Sequence, residues 1–256
     1  MLDLFAFSCH NNKLVIFDRW KLTAACFKMN DLQTIEGGIT APLGYQAAGV
    51  AAHIKVADRK DFALLVSDRT ANAAGLFTTN AVAAAPVRLG RERLAAGRLR
   101  AIAVNTGYAN ACTGEIGMAN ARAMSCLVSD ALGIPDAEVL VCSTGVIGMH
   151  LPMDRIATGV TRARAALCAT AGYDAATAIM TTDTVPKQTA VRFLVDGHPV
   201  TVGGMCKGAG MIEPYLATML AFITTDAAVA PGDLQTALRQ AVETSFNRVV
   251  IDNDRS

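Results

Sequence analysis

Three apolar stripes at helical spacing, separated by strand-like runs, constrain this sequence most strongly. A helix with one apolar stripe must bury that stripe against another layer of secondary structure. The first stripe is followed by Gly133 and Pro135, which predict the end of its helix. The third stripe follows Asp233, which we expect to cap its helix. The stripes are Met124, Leu127, Val128, Ala131 and Leu132; Ile156, Val160, Ala163 and Leu167; and Leu234, Ala237, Leu238, Ala241 and Val242.

Short apolar runs bounded by turn formers predict the strands that these helices cover. Residues 61–67 (DFALLVS) and 102–105 (IAVN) are two such runs. Residues 189–195 and 200–202 flank Asp196-Gly197, and an Asp-Gly pair between strand-like runs favours a tight hairpin. Strand-like runs therefore alternate with helical stripes, which is typical of the α/β class.

Composition and charge exclude several classes of function. The formal net charge is +1, so no basic stripe is available for phosphates and no nucleic-acid partner is expected. No run reaches the roughly 20 apolar residues that a membrane span requires. The seven cysteines never form a C-x-x-C pair, and the four histidines lack metal-ligand spacing. We therefore expect a cytoplasmic protein without a metal site.

The stretch GGMCKGAGMIEPYLATMLAF, residues 203–222, combines glycines with a single threonine. It is interpreted as a glycine-rich loop that leads into a buried strand, with Thr218 inside the apolar half. The third glycine of G-x-G-x-x-G is absent, which argues against nucleotide binding. Threonine is a good strand former, so composition alone gives Thr218 a structural role.

Two further motifs place polar groups at predicted turns. Residues 139–148, VLVCSTGVIG, are interpreted as a strand that enters a glycine-containing turn, whose N–H groups can face a ligand oxygen. Residues 181–184, TTDT, form a cluster of hydroxyls. Ordinary turns and caps explain most such patterns, so spacing alone assigns neither motif to a site.

Residues 207–227, KGAGMIEPYLATMLAFITTDA, closely resemble the self-cleavage segment of the ornithine acetyltransferases, also called glutamate N-acetyltransferases. Five earlier stretches resemble the same family in the same order. The resemblance implies an α/β fold, a four-layer α/β/β/α sandwich that is incomplete at its C-terminus. The five stretches are residues 35–55, 67–87, 105–117, 143–156 and 179–187.

The resemblance also implies a catalytic cycle centred on Thr218. The family precursor cleaves itself at the bond that matches Ala217-Thr218, and the freed threonine becomes the nucleophile. A free α-amino group has a pKa of about 7.7–8.0, so the new amine can serve the hydroxyl as base without a histidine. The implied reaction transfers acetyl from N-acetylornithine to glutamate, in arginine biosynthesis, and requires no cofactor.

Four other site residues follow from the same resemblance. Thr144 and Gly145 match the pair that stabilises the oxyanion, while Thr181 and Lys207 match substrate-contacting positions. Lys207 is a plausible charge partner for a substrate carboxylate. The resemblance leaves open whether acetyl-CoA is also a donor, and it implies an assembly of two αβ units, a heterotetramer.

The resemblance finally divides the chain into three parts. Residues 1–33 are expected to form an atypical N-terminal extension, residues 34–217 the α-chain-like part, and residues 218–256 a truncated start of the β-chain-like part. A chain with apolar surface and strand edges left uncovered is expected to be poorly active. Two alternatives therefore stay open: a related self-cleaving aminopeptidase or amidase that passes its acyl group to water, and a non-catalytic remnant.

Overall fold

Two four-stranded sheets and five α-helices form the part of the protein that this computed structural model describes, residues 32–55, 59–216 and 218–254. One sheet has the strand order β2-β3-β4-β5 and the other has the order β1-β6-β7-β8. In chain order the elements are β1 (Gln33–Ile35), β2 (Tyr45–Val50), β3 (Phe62–Asn72), α1 (Ala85–Leu94), β4 (Arg98–Tyr108), α2 (Gly114–Leu132), β5 (Val139–Val146), α3 (Met153–Ala165), α4 (Gly172–Ala178), β6 (Lys187–Val195), β7 (His198–Lys207), β8 (Leu220–Thr225) and α5 (Pro231–Thr244).

The first sheet is buried on both faces, which explains why its strands form continuous apolar runs. The predicted strands at 61–67 and 102–105 are confirmed within β3 and β4. In β3, Leu64 packs into the core shared with α1, α2 and α3, whereas its neighbour Leu65 packs into the core shared with α4 and the second sheet. The layers are therefore helices, first sheet and second sheet, and the predicted α/β sandwich class is confirmed.

Helix α2 joins the only parallel strand pair among the described strands. Parallel neighbours require a crossover, and α2 supplies it between β4 and β5. The predicted stripe at 124–132 lies in α2, which ends as predicted because Gly133 adopts a left-handed conformation at φ 63°. The stripe at 156–163 lies in α3, and Leu167 packs against the same core from just beyond the end of that helix.

Helix α5 carries the third stripe but begins differently from the prediction. The expected cap at Asp233 is wrong, because Ala230 is the N-cap residue and Pro231 opens the helix. Proline is favoured there since its missing N–H is not needed in the first turn. Asp233 lies within that turn, where a carboxylate still interacts favourably with the helix dipole. The apolar residues of α5 face a cavity that is described below.

The hairpin of the second sheet sets the position of the glycine-rich stretch. Asp196 and Gly197 join β6 to β7 with φ values of 49° and 79°, which confirms the predicted tight turn. Gly203 to Lys207 belong to β7, so the expected loop begins only at Gly208.

Thr218 precedes β8 and is not inside a strand, contrary to the expectation from its apolar surroundings. The predicted N-terminal extension, residues 1–33, lies mostly outside the described residues.

None of the helices in the described ranges is long and apolar enough to cross a membrane.

Candidate functional site

Thr144 and Gly145 lie near the C-terminal end of β5. The register of the pairing between β5 and β4 becomes irregular at this point. Thr144 is 9% exposed, and Gly145 has a φ of 139°. A Cβ atom at position 145 would lie 2.2 Å from the carbonyl carbon of Gly107, closer than any real contact. Only glycine therefore fits this strand end. The strand predicted at the start of residues 139–148 is observed as Val139–Val146.

A buried lysine reaches this strand end from the other sheet. Lys207 is the last residue of β7 and is 4% exposed. Its ammonium donates a hydrogen bond to Thr144 Oγ1 at 3.1 Å. Burial lowers the pKa of Lys207, the carboxylate of Asp183 opposes that change, and the charge of Lys187 reinforces it. A buried cation beside a hydroxyl is chemically suited to hold a carboxylate.

Thr218 lies in the segment between β7 and β8. Together with Thr144 and Gly145 it lines a cavity of about 1150 Å³ that extends between the sheets. Thr218 has a φ of 61°, and Tyr215 and Leu216 have φ values of 73° and 66°. Positive φ is unusual for bulky or β-branched residues and marks backbone strain. The predicted cleavage partner, Ala217, lies outside the described residues.

Thr181 lies outside the lining of that cavity, but a network connects it to Lys207. The carboxylate of Asp183 accepts the backbone N–H of Thr181 at 3.1 Å and that of Gly208 at 2.8 Å. It also pairs with the ammonium of Lys187. Burial alone would raise the pKa of Asp183, but these donors outweigh burial and lower it, so the carboxylate stays ionised near neutral pH.

Sequence reasoning missed two residues of this network, Asp183 and Lys55. Asp183 was visible as the one charged residue of the TTDT cluster, and Lys55 ends a stretch that resembles the family. The ammonium of Lys55 donates to the carbonyl oxygen of Met180 at 2.5 Å, directly before Thr181. Burial lowers the pKa of Lys55 to about 8, and the charge of Arg59 acts in the same direction.

This depressed pKa predicts an unusual reactivity for Lys55. A neutral amine is the nucleophile in acylation, so labelling of Lys55 by N-hydroxysuccinimidyl acetate should rise with pH through a midpoint near 8. Peptide mass spectrometry after brief labelling between pH 6.5 and 9.5 measures the midpoint, with Lys60, which pairs with Asp174, as internal reference. Labelling that still rises at pH 9.5 without a midpoint, as expected of a lysine with the ordinary pKa of 10.5, would contradict the prediction.

Burial disfavours the reactive thiolate of two cysteines near the strand ends. Cys142 lies on β5 before Ser143, and burial raises the pKa of its thiol to about 12. Burial also raises the pKa of Cys206, the neighbour of Lys207. A thiol reacts as the thiolate, so neither sulfur is a nucleophile near neutral pH. Within the described ranges, no group of three or more His, Cys, Asp or Glu residues is arranged to hold a metal ion.

The protein is an α/β sandwich in which two stacked sheets lie under a helical layer. Its polar site is at the strand ends, where the strained Thr218 lines the cavity and the buried Lys207 is bonded to Thr144 of the same lining. A family model narrows this class. The ArgJ family model matches residues 46–256, and the chain therefore belongs to the ArgJ family. The family predicted from the sequence is confirmed.

Individual relatives agree with this assignment. The arginine biosynthesis bifunctional protein ArgJ of Symbiobacterium thermophilum is 53% identical over 227 residues, which cover 88% of this chain and 56% of that protein. The ArgJ protein of Caldanaerobacter subterraneus subsp. tengcongensis is 47% identical over 225 residues, with the same two coverages of 88% and 56%. The chain thus spans little more than half the length of these curated relatives.

Two solved structures are similar in sequence and in fold. The crystal structure of ArgJ from Bacillus halodurans has a TM-score of 0.68 and 39% identity, and the match covers 74% of this chain and 98% of that chain. The ornithine acetyltransferase of Mycobacterium tuberculosis, solved in complex with ornithine, has a TM-score of 0.67 and 43% identity, covering 74% of this chain and 100% of that chain. Both matches confirm the predicted fold class.

Proposed function

We propose that this protein is an acetyltransferase of arginine biosynthesis that transfers acetyl from N-acetylornithine to glutamate through acetyl-Thr218. The observation that carries the proposal is that Thr218, Thr144 and Gly145 all line one cavity, with Lys207 bonded to Thr144. The family membership and the ornithine bound to the M. tuberculosis relative support the substrate class. Assembly as two αβ units and a cytoplasmic location stay predictions.

Self-cleavage precedes catalysis in this proposal. Thr218 Oγ attacks the carbonyl carbon of Ala217, the C–N bond breaks, and the acyl group moves from nitrogen to oxygen. Water then hydrolyses the ester and leaves Thr218 with a free α-amine. The positive φ of Leu216 and Thr218 favours this step, because strain of about 1–3 kcal/mol per residue is released when the chain is cut.

Acetyl transfer then proceeds in two balanced half-reactions. The α-amine of Thr218 takes the proton of its own hydroxyl, and Oγ attacks the acetyl carbonyl of N-acetylornithine. The amide C–N bond breaks, the amine leaves with that proton, and ornithine departs. The amine of glutamate next attacks the acetyl ester, and N-acetylglutamate leaves as the hydroxyl of Thr218 is restored. Thr144 and the Gly145 region stabilise the oxyanion of each tetrahedral intermediate.

The lengths of the solved relatives support a cut near Thr218. The M. tuberculosis chain is matched over 100% of its length by only 74% of this chain. That chain is therefore shorter than this one, and residues 34–217 form a segment of comparable length. A break before Thr218 would produce such a segment.

The test follows the acetyl group. Purified protein is incubated with N-acetylornithine carrying a ¹³C-labelled acetyl group, with and without glutamate, and the products are identified by NMR. Labelled N-acetylglutamate that forms together with ornithine is the expected result. Labelled acetate in both reactions would instead indicate the amidase alternative, and unchanged N-acetylornithine would overturn the proposal for this chain.

A further inference from the structure

The carboxylate of Asp183 joins two candidate substrate-binding positions that are far apart in the sequence. Its side chain is fully buried, and it accepts N–H groups from Thr181 and from Gly208, the residue after Lys207. Lys187 pairs with the same carboxylate and also donates to the carbonyl oxygen of Gly208 at 3.2 Å. Both backbone groups of Gly208 are therefore held by this ion pair.

We propose that Asp183 is a positioning residue, which holds Thr181 and Lys207 in the arrangement that binds the substrate. This inference rests on the proposed function, since it concerns the residues that would contact the substrate there. Asp183 acts through the backbone of Thr181 and Gly208 and through its charge. It lines no part of the cavity that holds Thr218.

The charge of Asp183 matters because the groups around it are cationic. Lys187 comes from β6, Lys207 from β7 and Lys55 from the loop after β2, and each interacts electrostatically with Asp183 or with its neighbours. Asp61 and Arg59 also lie beside Lys55. Two carboxylates among three ammonium groups and one guanidinium still leave the site positive, which favours an anionic substrate. Removing the carboxylate of Asp183 would leave these cations to repel one another, and the buried Lys207 would lose a proton more readily.

The test compares Asp183→Asn, which keeps the shape of the side chain and removes its charge, with Asp136→Asn. Asp136 pairs with Arg93 and accepts the hydroxyl of Ser125 on the helical side of the first sheet, so it is a matched control. Lysine labelled with ¹³C at the ε position is titrated by NMR in each variant. We expect the pKa of Lys207 to fall in Asp183→Asn and to stay unchanged in Asp136→Asn.

Two further readouts separate positioning from general stability. Amide hydrogen exchange at Thr181 and Gly208 should accelerate by about tenfold or more in Asp183→Asn, because a hydrogen bond to a charged group is lost. The affinity for ornithine, measured by calorimetry, should fall by about the same factor. Unchanged Lys207 titration together with unchanged amide exchange would overturn the proposal.

A second variant covers the case in which Asp183→Asn does not fold. Lys187→Gln removes a like charge from the surroundings of Lys207 and keeps the bonds from Asp183 to Thr181 and Gly208, so the pKa of Lys207 should rise. Exchange of the Thr181 and Gly208 amides should stay as slow as in the wild-type chain, because the Asp183 carboxylate still accepts both N–H groups. Faster exchange there, or a Lys207 pKa that does not rise, would overturn the proposal. If titration and amide exchange shift as expected but the wild-type chain neither binds ornithine nor transfers acetyl, the proposed function fails, and only the structural part of the inference, that Asp183 holds Thr181 and Lys207, is supported.

Discussion

Thr218→Ala is expected to leave the chain uncut between residues 217 and 218 and to lower acetyl transfer by at least about 10⁴-fold. The reason is chemical, since both steps of the proposed cycle use the same Oγ as nucleophile, and removing a nucleophile from a site of this kind has effects of that size. Alanine at this position also removes the β-branch, so the strain at φ 61° decreases slightly and folding should not suffer. Intact mass spectrometry and the labelled transfer assay measure the two outcomes.

Two control variants make this result specific to the hydroxyl of Thr218. Thr218→Ser keeps an Oγ at the same place and should still produce two fragments. Thr236→Ala removes a hydroxyl that only bonds back to Gly232 within α5, and it should change neither cleavage nor transfer. Two fragments from the Thr218→Ala chain would exclude Thr218 as the cleaving residue.

Gly145→Ala is expected to have the second largest effect, on both stability and chemistry. The new Cβ atom would lie 2.2 Å from the carbonyl carbon and 2.4 Å from the carbonyl oxygen of Gly107, so β4 and β5 must move apart at the site. We expect the free energy of unfolding to fall by a few kcal/mol, since overpacking costs about 1–3 kcal/mol and the positive φ adds about 1 kcal/mol. Displacement of an oxyanion donor should lower cleavage and transfer by about 10²–10³-fold.

Gly148 provides the matched control for this substitution. It also has a positive φ, 84°, but a Cβ atom there would meet nothing within 4 Å. Gly148→Ala should therefore cost only the conformational strain of about 1 kcal/mol and leave the chemistry intact. Urea denaturation and the labelled transfer assay compare the two variants, and equal effects would show that the close approach to Gly107 is not important.

The regular elements were predictable because their signals are local. The helix end at Gly133 and the turn at Asp196-Gly197 depend on a few adjacent residues whose φ values only glycine or a turn former readily adopts. The cap of α5 was missed because Asp, Pro and Ala all occur near its start, and local preference alone does not rank them. The strand assigned to Thr218 failed because apolar neighbours do not distinguish a strand from the turn before it.

The site was predictable only in part. The resemblance named Thr144, Thr181, Lys207 and Thr218, but it did not indicate how they are held. Asp183 went unnoticed because one carboxylate in a cluster of hydroxyls is indistinguishable from a turn residue until its partners are known. Its partner Gly208 is 25 residues further along the chain, and the residues between them form the whole β6-β7 hairpin.

The sequence by itself determined the family, the α/β class and the elements of the chain, because periodicity, turn residues and long motifs are properties of neighbouring residues. The tertiary structure alone decided that Lys207 meets Thr144, 63 residues earlier, and that Thr218 shares a cavity with the end of β5. Those contacts cross between two sheets, and their geometry depends on strand register and on how the layers stack. A shift of one residue in register would turn each side chain to the opposite face, and no local pattern encodes that choice between sheets.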